Sequence, residues 1–316
     1  MNYMRCYTCL TAAAFLVLPH LAEAAECPAG YPSGPITVLA GNAPGGGTDT
    51  VTRKLVSTIS KEKGWTFVVE NVPGAAGAVM ATRMLTVPAD GMTIGGATTT
   101  TMSILPYESN DITYTHDDFR YLGSAMVLNY ALVALADAPY DTLEEFVAYA
   151  KEKGRATVSL ASVSYEIALK KIAEHFGVNL VPIPGAGSAE ALKDALGGHV
   201  DATVQGTAHV GHIRAGKMVQ LSTLTSKRAP YAPDTMTVAE SGVDLVLDGH
   251  VVFFLPKDVP DDIASCLTDA FASATEDKEF VDFLVTLDTE PGNLGPEGTF
   301  EHLSTAATFY KAELKK

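Results

Sequence analysis

The sequence is short of charge, of cysteine and of long apolar runs. Charged residues are 19% of the 316, and acids outnumber bases 37 to 22, a net charge of -15. A surface of that sign repels phosphate, which argues against a general nucleic-acid binder. Of the four cysteines, Cys6 and Cys9 fall in the first ten residues. The two others, Cys27 and Cys266, are too few for a structural zinc site. In an oxidising compartment they form one bridge or remain two thiols. Beyond Leu18 no stretch is long and apolar enough to cross a bilayer, so the protein is not expected to be membrane-embedded. Motifs of catalysis are missing too: no G-x-S-x-G elbow, no HExxH, no Cys–His arrangement, no kinase signature. His209 and His212 stand at i, i+3, but a metal needs a further ligand. The reading is therefore no enzyme, no cofactor and no metal.

What is present first sets a compartment. Arg5 provides a positive start, Leu10 to Leu18 a short apolar run, and Ala22-Glu23-Ala24 a small-x-small cleavage site. Residues 1–24 read as a secretory signal peptide, which places the mature chain in the periplasm. The length exceeds one ordinary core and suits two domains.

Strand-like and helix-like runs then alternate. Pro35 to Ala40, Thr66 to Glu70 and Thr93 to Ala97 read as strands, with helices over Thr48 to Lys63 and Gly77 to Leu85 between them. The rhythm resumes at Tyr130 and runs to the C-terminus, with Thr142 opening one helix by a Thr-x-x-Glu box. Repeated β-α-β units predict an α/β fold with parallel sheets covered on both faces. Such sheets place ligands at the carboxyl ends of strands.

Two glycine-rich loops occupy those ends. One runs Asn42-Ala43-Pro44-Gly45-Gly46-Gly47-Thr48-Asp49, the other Glu70-Asn71-Val72-Pro73-Gly74-Ala75-Ala76-Gly77. Missing side chains let backbone N–H groups approach a ligand, and a following helix start favours an anion. The first loop has neither a Gly-Lys-Ser/Thr ending nor GxGxxG spacing, so it is neither a P-loop nor a dinucleotide turn. A plain strand-to-helix turn with Thr48 as N-cap is the bland alternative. The third strand ends at Thr98-Thr99-Thr100-Thr101, hydroxyls able to donate to a carboxylate or to cap a helix.

Taken in order, these segments resemble the solute receptors of the tripartite tricarboxylate transporter family, also called Bug proteins. Besides the two loops, the matching landmarks are Pro88-Ala89-Asp90-Gly91-Met92-Thr93-Ile94, Asp118-Phe119, Pro184 with Gly187, and Asp194 to Asp201. Ala215-Gly216-Lys217, Arg228 and Thr237 to Gly242 complete the series.

The resemblance implies a type II, Venus-flytrap periplasmic binding protein with two crossover segments. Residues 25–127 plus 250–316 would form one domain and 128–249 the closing lobe. A ligand carboxylate would sit among Ala43, Pro44, Gly45, Gly46, Thr48, Asp49, Gly74, Ala75, Ala76, Thr98 and Thr99. Asp49, itself an anion, is expected to orient the loop or accept from a water. Ser162, Ser164, Gly187 and Gln205 would line the opposite wall. That wall departs from the family: Pro184-Gly185-Ala186-Gly187 replaces a bulkier turn, and Gln205 stands where an Asp is frequent. The change disfavours an amino-acid ligand and leaves room for a larger acid.

The expected function is capture of a small organic acid, a di- or tricarboxylate or an aromatic carboxylate, by a monomer that hands it to transporter membrane subunits. A periplasmic sensor would share the fold and the site.

Overall fold

A computed structural model describes residues 27–109, 111–185 and 187–315. The signal peptide expected at 1–24 lies outside the described residues, as does Ala186. The chain runs β1 (Ile36–Ala40), α1 (Gly47–Lys63), β2 (Phe67–Asn71), α2 (Ala78–Met84), β3 (Thr93–Thr98), α3 (Thr99–Ser103), α4 (Leu105–Glu108) and β4 (Phe119–Leu128). It continues with β5 (Ala131–Leu135), α5 (Leu143–Lys153), β6 (Ala156–Leu160), α6 (Val163–Phe176), β7 (Leu180–Pro184), α7 (Ser188–Leu196), β8 (Ala202–Gln205), α8 (Val210–Arg214) and β9 (Met218–Thr223). Then come β10 (Gly249–Pro256), α9 (Asp261–Glu276), α10 (Lys278–Thr286) and α11 (Gly295–Glu313).

Among the described residues the strands form two five-stranded sheets, β2-β1-β3-β10-β4 and β7-β6-β8-β5-β9. The chain leaves the first sheet after β4 and re-enters it through β10, so two crossovers join the lobes. The expectation of parallel sheets holds for β1, β2 and β3 and for β6, β7 and β8, and is corrected for the remaining strands. β1 pairs parallel with β2 and β3, but β10 is antiparallel to both its neighbours, β3 and β4. In the second sheet β5 is antiparallel to β8 and β9. The reason is the return crossover: a strand arriving from the other lobe enters from the opposite end and needs no covering helix.

Packing explains the composition of the central strands. Every residue of β10 is buried. Phe253 and Phe254 pair with Gly96 and Gly95 of β3, and their rings fill the space that side chains there would need. A β-carbon at Gly95 would stand 2.5 Å from the Phe254 ring. On one face, Leu55 and Ile59 of α1 pack with Leu267, Ala270 and Phe271 of α9. Burial of each Leu, Ile or Phe side chain in this set contributes about 1.5–3 kcal/mol. Cys27 and Cys266 are bridged, tying the N-terminal segment to α9 across 239 residues.

The last helix serves both lobes. α11 packs along β4, while Tyr310, near its end, belongs to the core of the second lobe with Tyr130, Tyr165 and Leu169. Lys171 of α6 pairs with Glu313 at 3.4 Å and lies over the Phe309 ring.

Candidate functional site

The first two strand-end loops meet. A β-carbon at Gly41, just after β1, would lie 3.1 Å from the Cα of Gly77, just before α2. The missing side chain at Gly41 allows that close approach. One at Gly77 would lie 3.0 Å from the side chain of Thr101, whose Oγ1 donates to the Ala76 carbonyl at 2.9 Å. Three strand ends thus interlock: β1 through Gly41, β2 through Ala76 and Gly77, and β3 through Thr101. Val72 N–H adds a bond to the Ala40 carbonyl at 2.9 Å.

In the first loop, Ala43, Pro44, Gly45, Gly46 and Gly47 are exposed while Thr48 and Asp49 are buried. Gly46, not Thr48, is the N-cap of α1, and no side chain caps it. The helical ladder opens with Thr50 N–H to the Gly46 carbonyl at 2.9 Å. The N–H groups of Gly47, Thr48 and Asp49 therefore precede the ladder, at the positive end of a 17-residue helix. Helices α5 and α10, by contrast, begin under conventional caps, Thr142 and Asp277.

Asp49 turns back on its own loop. Its Oδ2 accepts from Gly45 N–H at 2.9 Å, and its Oδ1 accepts from Arg53 Nε at 3.0 Å and Asn71 Nδ2 at 2.8 Å. Burial opposes ionisation, but these bonds from Arg53, Gly45 and Asn71 outweigh it and hold the carboxyl below its usual range. Asp49 orients the loop.

The second loop differs from a simple strand-to-helix turn. Ala75 and Ala76 adopt φ of 43° and 50°, between Gly74 and Gly77, which are also positive. Each alanine in that region costs about 1–2 kcal/mol. Such strain persists where surrounding contacts impose it, and it collects at ligand sites. Gly74, Ala75 and Ala76 are exposed, and α2 starts only at Ala78.

Thr98 is half-buried and caps the short α3, its Oγ1 3.4 Å from Thr101 N and 3.1 Å from Thr101 Oγ1. Thr99 is buried: its Oγ1 accepts from His250 N–H at 2.9 Å and lies 3.2 Å from His302 Nε2. Thr100 hydrogen-bonds Tyr130, whose phenol is pushed up to about 12 by burial, with that bond opposing.

On the second lobe, Ser162 is the N-cap of α6, with its Oγ 2.8 Å from Ser164 Oγ instead of on the helix backbone. Gly187 is the N-cap of α7 and has no side chain to offer. Gln205 ends β8, fully buried. Its Nε2 donates to Thr203 Oγ1 at 2.8 Å, while its Oε1 has no partner among the described residues. Tyr165 is buried and meets Tyr130 edge-on, with ring centroids 5.7 Å apart. His209 is bound to Tyr231 at 2.7 Å, in the core. Arg228 forks onto Glu240 at 2.9 and 3.0 Å, a structural pair. A cavity of about 390 Å³ lies elsewhere, between α6 and β7.

Asn71, Arg53 and Tyr130 were not read as site residues from the sequence. The Asp49–Arg53 spacing of four on a helix was a readable signal for one of them.

The description of the tripartite tricarboxylate transporter family receptor matches residues 51–301. The chain belongs to that family. A protein from the gbd 5′ region of Cupriavidus necator is 31% identical over 264 residues, covering 83% of this chain and 80% of that one. The structure of the periplasmic binding protein BugD superposes with a TM-score of 0.76 at 25% identity, over 90% of this chain and 98% of BugD. The structure of MatC from Rhodopseudomonas palustris with bound malate has the same fold, with a TM-score of 0.76 at 24% identity over 90% of this chain and all of MatC. This receptor thus carries the two-lobed periplasmic binding fold, and among its described residues no helix is long and apolar enough to cross a membrane.

Proposed function

We propose that this receptor captures a small organic acid between the lobes 25–127 plus 250–316 and 128–249, and presents it to the membrane subunits of a tripartite tricarboxylate-type transporter. The ligand is a di- or tricarboxylate or an aromatic carboxylate. One observation carries the reading: the loop that leads into the uncapped, glycine-lined start of α1 and the loop that holds the strained turn Gly74–Gly77 meet at Gly41 and Gly77. Preorganised N–H groups can hold carboxylate oxygens there without a cationic side chain. A chain of net charge -15 needs such local donors to bind an anion at all.

In this reading Thr98 adds a hydroxyl, and Ser162, Ser164, Gly187 and Gln205 meet the other end of the ligand. α6 and α7 also begin without side-chain caps, so the second wall suits a second acid group. Gln205 offers an amide where a carboxylate would be needed to neutralise an ammonium. An acid without an amino group is therefore favoured. Closure follows because a ligand bridging both walls binds the closed form better. The cycle uses no cofactor and no chemical step, and the receptor works in the periplasm. MatC, the relative with bound malate, makes malate the first probe.

The test is mass spectrometry of small molecules released on denaturing the purified protein, with a thermal-shift screen of dicarboxylates, tricarboxylates and aromatic acids. A ligand that binds only the native state raises the melting temperature. An organic acid found in both assays is the expected result. Stabilisation by free amino acids alone would overturn the reading.

A further inference from the structure

Asn71 is the last residue of β2, yet its side chain serves the loop after β1. Its Nδ2 donates to Asp49 Oδ1 at 2.8 Å and to the Asn42 carbonyl at 3.0 Å. Its Oδ1 accepts from Arg53 Nη2 at 2.9 Å. Both amide donors and the amide acceptor are thereby used. Asp49 passes the constraint on, since its other oxygen receives Gly45 N–H at 2.9 Å. One amide therefore fixes the start of the first loop at Asn42, its middle at Gly45 and its end at Asp49. The second loop leaves β2 immediately after Asn71, at Val72.

We propose that Asn71 is a positioning residue of the carboxylate site: it locks the two glycine loops in register through Asp49 and the Asn42 carbonyl without touching the ligand. The proposal rests on the reading of these loops as the carboxylate seat.

Two features favour a role beyond packing. First, Asp49 is buried and ionised beside a cradle meant for an anion. Asn71, Arg53 and Gly45 engage both its oxygens and hold the carboxylate toward the protein. The N–H groups at the start of α1 are left to face outward. Second, the arms are unequal. The Arg53 side chain is 49% exposed and screened by solvent, whereas Asn71 is half-buried and supplies bonds less open to screening. The other charged pair nearby, Glu70 with Arg83 at 2.6 Å, is exposed and does not join the network.

The test compares wild type, Asn71→Ala and Asn71→Asp by amide hydrogen exchange without ligand and by malate titration. Asn71→Ala is expected to speed exchange across residues 42–47 about tenfold, with the second-lobe loop 205–209 unchanged. Its affinity for malate is expected to fall about tenfold or more, at a nearly unchanged melting temperature. Asn71→Asp places a second carboxyl against Asp49. At pH 7.5 it removes both donors and repels, so loop protection is lost. At pH 5 the coupled pair holds a proton, the introduced carboxyl donates to Asp49 again, and protection returns in part. Wild type shows no such recovery on acidification. A merely structural position would not produce this reversal. Unchanged exchange at 42–47 in Asn71→Ala, or no recovery of Asn71→Asp at pH 5, overturns the proposal. A wild-type chain that fails to bind malate counts against malate as the ligand, while the exchange arm still decides the role of Asn71.

Discussion

The ring of Tyr130 occupies the space that a side chain at Gly249 would fill. A β-carbon there would stand 2.5 Å from Cε2 of the ring and 2.6 Å from its hydroxyl. Tyr130 lies between β4 and β5 and Gly249 begins β10, so one aromatic ring is wedged between the two segments that connect the sheets. Gly249→Ala is expected to destabilise the protein by about 1–3 kcal/mol through overpacking. Tyr130→Phe, which removes the bond to Thr100, is expected to cost about 1 kcal/mol. Urea midpoints of the two variants check the order.

Gly46→Val and Ala75→Asp should spare the fold and remove carboxylate binding. Gly46 has φ of -72°, which a side chain tolerates, although its β-carbon would come 3.3 Å from the Ala43 carbonyl. Ala75 is exposed, and Asp tolerates its left-handed conformation. Each variant covers the donors, and Ala75→Asp also adds a repelling charge. Losses of at least about tenfold and a hundredfold in affinity are expected, since like charges at a site cost several kcal/mol. Calorimetric titration with the best acid of the screen, beside circular dichroism, is the check.

Acid should loosen the fold through buried histidines. Burial lowers His209 to about 4, against the pull of Gln220. His250 also falls to about 4, by burial and then by neighbouring His302. The unfolded chain titrates near 6.5, so between about 6.5 and 4 it binds more protons than the native state. Stability is then complete above pH 6.5 and declines as pH falls toward 4. Each imidazole contributes on the order of 3 kcal/mol at most. Asp49, held low, loses its contribution in the same direction at still lower pH. Denaturant titrations from pH 7.5 to 4 should follow this slope, and His209→Gln should flatten it.

Opening the Cys27–Cys266 bridge should lower the melting temperature while leaving the lobes folded. In the chain-entropy account a loop of this size is worth about 5 kcal/mol, and measured values are commonly 2–5. Scanning calorimetry with and without reductant measures it.

Much of the candidate site is legible in the sequence because its residues are consecutive. The runs Ala43–Asp49 and Gly74–Gly77 announce themselves by missing side chains at strand ends. Asn71 did not, because its partners stand 18, 22 and 29 residues away and meet it only in the folded chain. The left-handed alanines were equally silent, since alanine carries no signal for positive φ. In the fold, α1 was legible as the helix that follows a glycine turn, and α5 by the capping box at Thr142. β4 was not: Gly123-Ser124-Ala125 interrupts its apolar run, and it is buried on both faces, so no alternation shows. The antiparallel entry of β10 was hidden as well, because strand direction depends on a crossover rather than on local pattern.

The path of the C-terminal segment bears on how the molecule assembles. β10 is inserted between β3 and β4, so the first lobe lacks an interior strand until the chain has passed through the second and returned. Tyr310 belongs to the core of the second lobe, so that lobe in turn lacks a buried ring until nearly the final residue has arrived. Neither half can be finished before the other has begun. Completion of either core therefore waits for the C-terminal segment that both share.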